Sequence, residues 1–123
     1  MTAIKSYTDI EQSCELAEIL PRESADMYWI HWKAETIQGA FKPSSMDIPC
    51  WSLAALLEYL REHHLFPYIT NTSDCILMDV TFYDEDETKK KSIVPLRFVR
   101  AEGKSILDAC YELILKLHKI NML

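Results

Sequence analysis

Residues 48–64 constrain the fold more than any other stretch of the sequence. Four leucines recur at helical positions i, i+3, i+4 and i+7, which places them on one face: Leu53, Leu56, Leu57 and Leu60. Pro49 interrupts whatever precedes it, and Ser52 can accept a hydrogen bond from a free amide of a first helical turn. The pattern predicts a central helix that begins after Ser52, ends near His63 and His64, and packs on a sheet.

A first helix is predicted near the N-terminus. Thr8 and Glu11 form a capping-box pattern, with Thr8 as the N-cap residue, and Pro21 ends the helix. The residues expected on its buried face are Ile10, Cys14, Ala17 and Leu20.

A second capping-box pattern, Ser105 and Asp108, opens a last helix over residues 105–121. Its apolar residues recur at alternating spacings of four and three: Ile106, Cys110, Leu113, Leu117 and Ile120. Leu107, Ile114 and Leu115 widen the apolar surface, so this helix is expected to be covered on more than one side. Either the central helix or a second subunit could provide that cover.

Four segments have the composition of strands. Residues 27–33 are rich in aromatic residues, and residues 36–42 follow as a candidate return strand. Residues 75–83 alternate apolar and polar side chains, and residues 92–100 are their partner. Pro95 cannot donate to a strand ladder, which predicts an edge strand or a bulge.

These elements predict an α+β fold in which a three- to four-stranded antiparallel sheet packs with three helices, in the order α-β-β-α-β-β-α. A chain of 123 residues fits a single domain, 1–123. The strand–strand–helix order occurs twice, over 27–64 and 75–121, which raises the hypothesis of a divergent repeat.

Composition disfavours several classes of function. The net charge of −6 opposes binding to nucleic acid or to an anionic membrane, and only two glycines are present, too few for a phosphate-binding loop. The N-terminus lacks an apolar signal core, and the four cysteines form no C-x-x-C pair, which is typical of a cytoplasmic protein with free thiols. The histidines and cysteines lack the short spacings of zinc ligands, so neither a metal nor a cofactor is expected.

No catalytic constellation stands out in the sequence. Cys50 is the least improbable nucleophile because it lies near a helix N-terminus, where a thiolate is stabilised. The competing interpretation, a small buried side chain beside Trp51, is favoured because free cysteines are among the most buried residues.

The aromatic strand around Trp29 and Trp32 offers a different hypothesis. Strand alternation places these two rings on opposite faces, so at least one is expected to be exposed. An exposed ring would mark a binding surface for a small molecule or a nucleic acid. The competing interpretation is that both rings belong to the core.

Residues 48–57 resemble a "P-x-W-S-L-x-x-L-L" segment in a family of small uncharacterised proteins of anaerobic gut bacteria and their prophages. Residues 106–118 resemble the C-terminal helix of that family, and Ala25-Asp26-Met27 resembles its entry to the first strand. The resemblance covers most of the chain and implies a phage or mobile-element origin. The family has no established activity, so the resemblance assigns no functional residue.

The sequence therefore predicts a non-enzymatic cytoplasmic protein of phage or mobile-element origin that acts through protein–protein contacts. The partner is another protein or a second copy of the chain, bound through the C-terminal helix as a homodimer. The alternatives are a binding module that uses Trp29 and Trp32, and a thiol-dependent enzyme that uses Cys50.

Overall fold

The computed structural model describes residues 4–30, 32–36, 44–84 and 94–123, and residues 82–84 and 94–97 through their backbone alone. Within these ranges the helices are α1 (Ile10–Ile19), α2 (Leu53–Glu62) and α3 (Ile106–Lys119). The strands are β1 (Met27–Ile30), β2 (Lys33–Thr36), β3 (Ile48–Cys50), β4 (Tyr68–Asn71), β5 (Ile76–Asp84) and β6 (Val94–Gly103). A single 3₁₀ turn covers Arg22–Ser24. The predicted α+β class with three helices and antiparallel strands is confirmed.

The described strands form two antiparallel sheets of three strands each, with orders β2-β1-β3 and β4-β5-β6. Strands β3 and β4, which no sequence pattern predicted, complete these sheets. Both are short, and the buried Pro49 lies in β3 at the edge of its sheet, where a missing amide hydrogen is tolerated.

Each sheet is followed by a helix, so three strands and a helix occur twice in the described chain. In the first half, the central strand of the sheet is the first strand in the sequence (β1). In the second half, the central strand is the second in the sequence (β5). The two halves therefore differ in topology, and the predicted repeat extends to the order of elements but not to the arrangement of strands.

The boundaries in the first sheet differ from the prediction. The predicted strand 27–33 ends at Ile30, because Trp32 adopts a positive φ of 67° in the turn before β2. The return strand begins at Lys33 rather than at residue 36, and the rest of the predicted segment, 37–42, lies outside the described residues.

The second sheet follows its prediction closely. Strands β5 and β6 pair along their length, with a register shift between Phe82 and Tyr83 at the level of Pro95. β6 also lies at an edge of the sheet, so both consequences expected from Pro95 are confirmed. The charged segment between the strands, 85–93, is outside the described residues.

The N-terminal cap of α1 is a correction to the prediction. Asp9, rather than Thr8, is the N-cap residue, and its carboxylate accepts a hydrogen bond from the amide of Gln12 at 2.8 Å. The Gln12 side chain accepts in turn from the Asp9 amide at 3.1 Å, which completes a capping box one residue later than expected. The buried residues are Ser13 and Leu16 in α1 and, as predicted, Leu20 at its C-cap, whereas Cys14 and Ala17 are exposed.

The caps of the other two helices are confirmed. The Ser52 hydroxyl accepts a hydrogen bond from the Ala55 amide at 3.1 Å, and the Ser105 hydroxyl accepts from the Asp108 amide at 3.0 Å. On α2, Leu56 and Leu60 are fully buried, whereas Leu53 and Leu57 pack against the core from half-buried positions.

The cover over α3 comes from within the chain. Its apolar side chains pack with buried residues of β5, β6, α1 and α2 in one core. The fully buried side chains of α3 include Leu107, Cys110, Leu113, Ile114 and Leu117. Asp108 in its first turn accepts hydrogen bonds from Lys5 at 2.7 Å and from Gln12 at 2.9 Å. The wide apolar surface of α3 is thus a core surface of the single chain.

Truncating Leu117 to alanine should lower the free energy of unfolding by ~2–5 kcal/mol, because a fully buried leucine leaves a cavity when it is shortened. Urea denaturation measures the effect. Ile106→Ala, on the same helix but 36% exposed, is the matched control and should cost clearly less. A Leu117→Glu variant that stays folded would contradict this assignment of Leu117 to the core.

Candidate functional site

A buried polar cluster joins the N-terminal segment to the entrance of α2. The Thr8 amide donates to the Trp51 carbonyl at 2.9 Å, and the Trp51 amide donates to the Thr8 hydroxyl at 3.1 Å. The Thr8 and Ser13 hydroxyls lie 2.7 Å apart. These bonds explain why Thr8 does not cap α1: its hydroxyl is used in the tertiary structure.

Cys50 lies at the centre of this cluster. Its side chain has no exposed surface, and its thiol donates to the Thr8 carbonyl at 3.4 Å. Burial raises the pKa of the Cys50 thiol, so the nucleophilic thiolate is disfavoured. This environment suits a small core residue, and it gives the hypothesis of a thiol-dependent enzyme no support.

The two tryptophans of the aromatic hypothesis have different environments. Trp29 is half-buried, donates to the Ser13 hydroxyl at 3.2 Å and meets the Tyr7 ring edge-to-face at 5.9 Å. Trp32 is 83% exposed, which confirms that at least one ring is exposed, although its turn conformation rather than strand alternation is the cause. A cleft of about 230 Å³ lies between them, lined also by Met46. Its volume is below the usual range for small-molecule sites.

The histidines at the end of α2 have structural roles. The Nδ1–H of His63 donates to the Tyr59 carbonyl at 2.9 Å, and His64 adopts a positive φ of 59° just after the helix. In the described part of the chain, no group of three or more His, Cys, Asp or Glu side chains could hold a metal ion.

Among the described residues, elements of the chain cover one face of the second sheet and leave the other face open. On the inner face, Met78, Val80 and Ala101 are buried against the core. Because neighbouring residues of a strand point to opposite faces, Asp79 and its cross-strand partners Tyr68 and Arg100 form a row on the other face. We call this side of β4, β5 and β6 the outer face.

Aromatic side chains flank a charge pair on the outer face. Tyr68 is 73% exposed and Phe98 is 58% exposed. Arg100 donates to both carboxylate oxygens of Asp79, at 2.8 and 3.1 Å, and its guanidinium lies 5.5 Å from the centre of the Phe98 ring. The hydrogen bonds and charge of Asp79 raise the pKa of Arg100. Phe66, just before β4, is 63% exposed.

No pattern in the sequence indicated this surface. The alternation in β5 predicted which residues leave the core, but β4 was not predicted, so the position of Tyr68 beside Asp79 was missed. Asp79 and Arg100 are 21 residues apart in the sequence, and no local pattern predicts that they pair across the strands.

Comparisons with protein-family models, with curated proteins and with solved structures found no match for this chain. The family resemblance therefore remains a prediction. Among the helices of the described residues, none has the length and apolar character needed to cross a bilayer.

The thiols should divide into two classes when Ellman's reagent is added to the folded protein. Cys14 is exposed and Cys75 is half-buried, so both should react without unfolding. Cys50 and Cys110 are buried, and burial raises the pKa of Cys110 to about 12, so both should react only in denaturant. A Cys50 that reacts as fast as Cys14, identified by mass spectrometry, would restore the enzyme hypothesis.

Replacing Thr8 with valine should lower the free energy of unfolding by ~1–3 kcal/mol, because the buried Trp51 amide loses its acceptor. Thr70→Val, at an exposed position in β4, is the isosteric control and should change stability by less than ~0.5 kcal/mol. Equal effects of the two variants in urea denaturation would show that the Thr8 hydroxyl contributes little.

Proposed function

We propose that this protein is non-enzymatic and acts through protein–protein contacts, in which a different protein or a second copy of the chain docks on the outer face of β4, β5 and β6. One observation carries the proposal. Tyr68 and Phe98 are exposed beside the Asp79–Arg100 pair, on a sheet face that no described element covers. Large exposed aromatic side chains grouped in this way mark interaction surfaces rather than ordinary solvated surface.

The chemistry of the outer face supports a protein partner. Tyrosine and arginine are the residue types enriched among those that dominate binding energy at protein interfaces. Asp79 fixes the guanidinium of Arg100, so less side-chain freedom is lost when a partner docks. The charges of Asp79 and Arg100 cancel within this row, whereas binding to nucleic acid would require a surplus of basic residues.

The homodimer expected through the C-terminal helix has less support than the outer face. The apolar side chains that motivated it, Leu113 and Leu117 among them, are covered by the chain's own core. A second copy of the chain stays a candidate partner, but the open sheet face is the better docking surface for it.

We further propose that the protein works in the cytoplasm and that it derives from a phage or mobile element. The four cysteines are all free thiols, as expected in a reducing compartment, which supports the first statement. The resemblance of residues 48–57 and 106–118 to a prophage-associated family supports the second.

Site-specific photo-crosslinking tests the docking surface. Benzoylphenylalanine in place of Tyr68 should yield an adduct of defined mass in cells that express the protein, because the partner lies against that ring. The same group in place of Glu112, exposed on α3, is the control and should yield no such adduct. Adding Phe98→Ser to the first variant should reduce the adduct severalfold.

Mass spectrometry of the adduct identifies the partner, and either a second copy of the chain or a different protein would support the proposal. Equal labelling from positions 68 and 112, or no adduct from position 68, would contradict it.

A further inference from the structure

The strands at the sheet edges differ in how well they are protected. In the described chain these strands are β2, β3, β4 and β6. An edge strand offers unpaired amides and carbonyls to other chains, and natural proteins protect such edges, often with proline or charged side chains. Three of the strands contain residues of this kind: Lys33 and Glu35 in β2, Pro49 in β3, and Pro95, Arg100 and Glu102 in β6. The short strand β4, Tyr68–Asn71, contains neither type.

The backbone of β4 directs hydrogen-bonding groups away from the sheet. At the turn between β4 and β5, the Thr72 amide donates to the Cys75 carbonyl at 2.9 Å, so these two residues form a hydrogen-bonded pair. In an antiparallel ladder such pairs alternate with pairs whose amides and carbonyls point away from each other. The register of β4 and β5 places Ile69 and Asn71 in pairs of the second kind. Their backbone groups therefore point out of the edge, where no described strand pairs with them.

An exposed apolar side chain lies at the same edge. Ile69 is the cross-strand partner of Met78 on the inner face, yet Met78 is fully buried and Ile69 is nearly half exposed. The main contacts of α3 with this sheet are to β5 and β6, so the helix leaves Ile69 partly uncovered. A further strand beside β4 would cover this side chain and also use the outward backbone groups.

We infer that β4 pairs antiparallel with β4 of a second copy of this chain, which joins two three-stranded sheets into one. Thr70 lies opposite Thr70 of the second copy, on the two-fold axis, and Ile69 lies opposite Asn71. Every outward amide and carbonyl of Ile69 and Asn71 then gains a partner. The two Thr70 hydroxyls can bond across the axis, and the two Ile69 side chains become diagonal neighbours.

Other symmetric registers satisfy fewer of these groups. If Ile69 lay opposite Ile69, then Asn71 would face Pro67, which has no amide to donate. If Asn71 lay opposite Asn71, then Ile69 would face Ser73, which lies in the turn between β4 and β5. The register centred on Thr70 avoids both losses. Because β4 has no charged residue, this register also places no like charges opposite each other within the strand pair.

The symmetry of this pairing favours a second copy over an unrelated strand. A two-fold contact uses the same surface on both chains, so one unprotected edge per chain is sufficient. The opposite edge of the sheet, β6, contains Pro95 and charged residues, which disfavours addition of β4 to β6 of a further copy. The assembly therefore closes as a dimer. The inference concerns the edge of β4 and is independent of docking on the outer face, which the dimer leaves free.

Light scattering across a dilution series tests this dimer when charges are placed at Thr70. Thr70→Lys and Thr70→Glu each set like charges opposite each other, so each should raise the dimer dissociation constant about fivefold. An equal mixture of the two variants sets opposite charges there and should restore association, as a mixed dimer identified by native mass spectrometry. Asn71→Pro removes one outward amide that β5 does not use, and it should weaken the dimer while the circular dichroism spectrum stays unchanged.

Two control variants should leave the dissociation constant unchanged. Ser45→Lys adds the same charge as Thr70→Lys in an exposed loop before β3, and Phe98→Ser changes the outer face at the opposite edge of the sheet. A wild-type chain that stays monomeric at its highest soluble concentration overturns the inference. So does a mixture of the charged variants that associates no more tightly than either one alone. A dimer weakened by Phe98→Ser but not by Thr70→Lys is held by the outer face, which overturns the edge pairing and supports the proposed function.

Discussion

The packing of α3 against the inner face of the second sheet is the contact on which the rest of the structure depends. Gly103, at the end of β6, permits it, because a Cβ atom there would lie only 2.4 Å from the Ala109 amide nitrogen. The helix then buries Leu107, Leu113 and Leu117 against β5, β6 and the other helices. This core covers one face of the sheet, and Tyr68 is exposed to solvent on the opposite face.

Periodicity and capping signals predicted the helices well, because they are local. Ser52 and Ser105 cap their helices as expected, and the leucine spacing of α2 matches its packing. The prediction for Thr8 was wrong because a local preference competed with tertiary hydrogen bonds, and the bonds to Trp51 prevailed. Strand β4 was missed for a related reason: four exposed residues carry no burial pattern.

The candidate sites were less predictable than the fold, because each depends on residues brought together from distant segments. The exposure of a tryptophan near β1 was predicted correctly, but its cause was a turn at Trp32. The outer face combines three strands, and the Asp79–Arg100 contact within it joins residues that are 21 positions apart in the sequence. No spacing within a single strand predicts that arrangement.

The Asp79–Arg100 pair is the feature of the outer face that bears most directly on the proposed docking. The Arg100 side chain is 53% exposed, and an exposed ion pair of this kind contributes only ~0–1 kcal/mol to folding. Its stronger effect is on geometry, because two hydrogen bonds hold the guanidinium beside the Phe98 ring before any partner arrives. A flexible arginine would lose side-chain entropy on docking, and a fixed one has already lost it during folding. In the proposed docking, the pair would therefore matter more for binding than it does for stability.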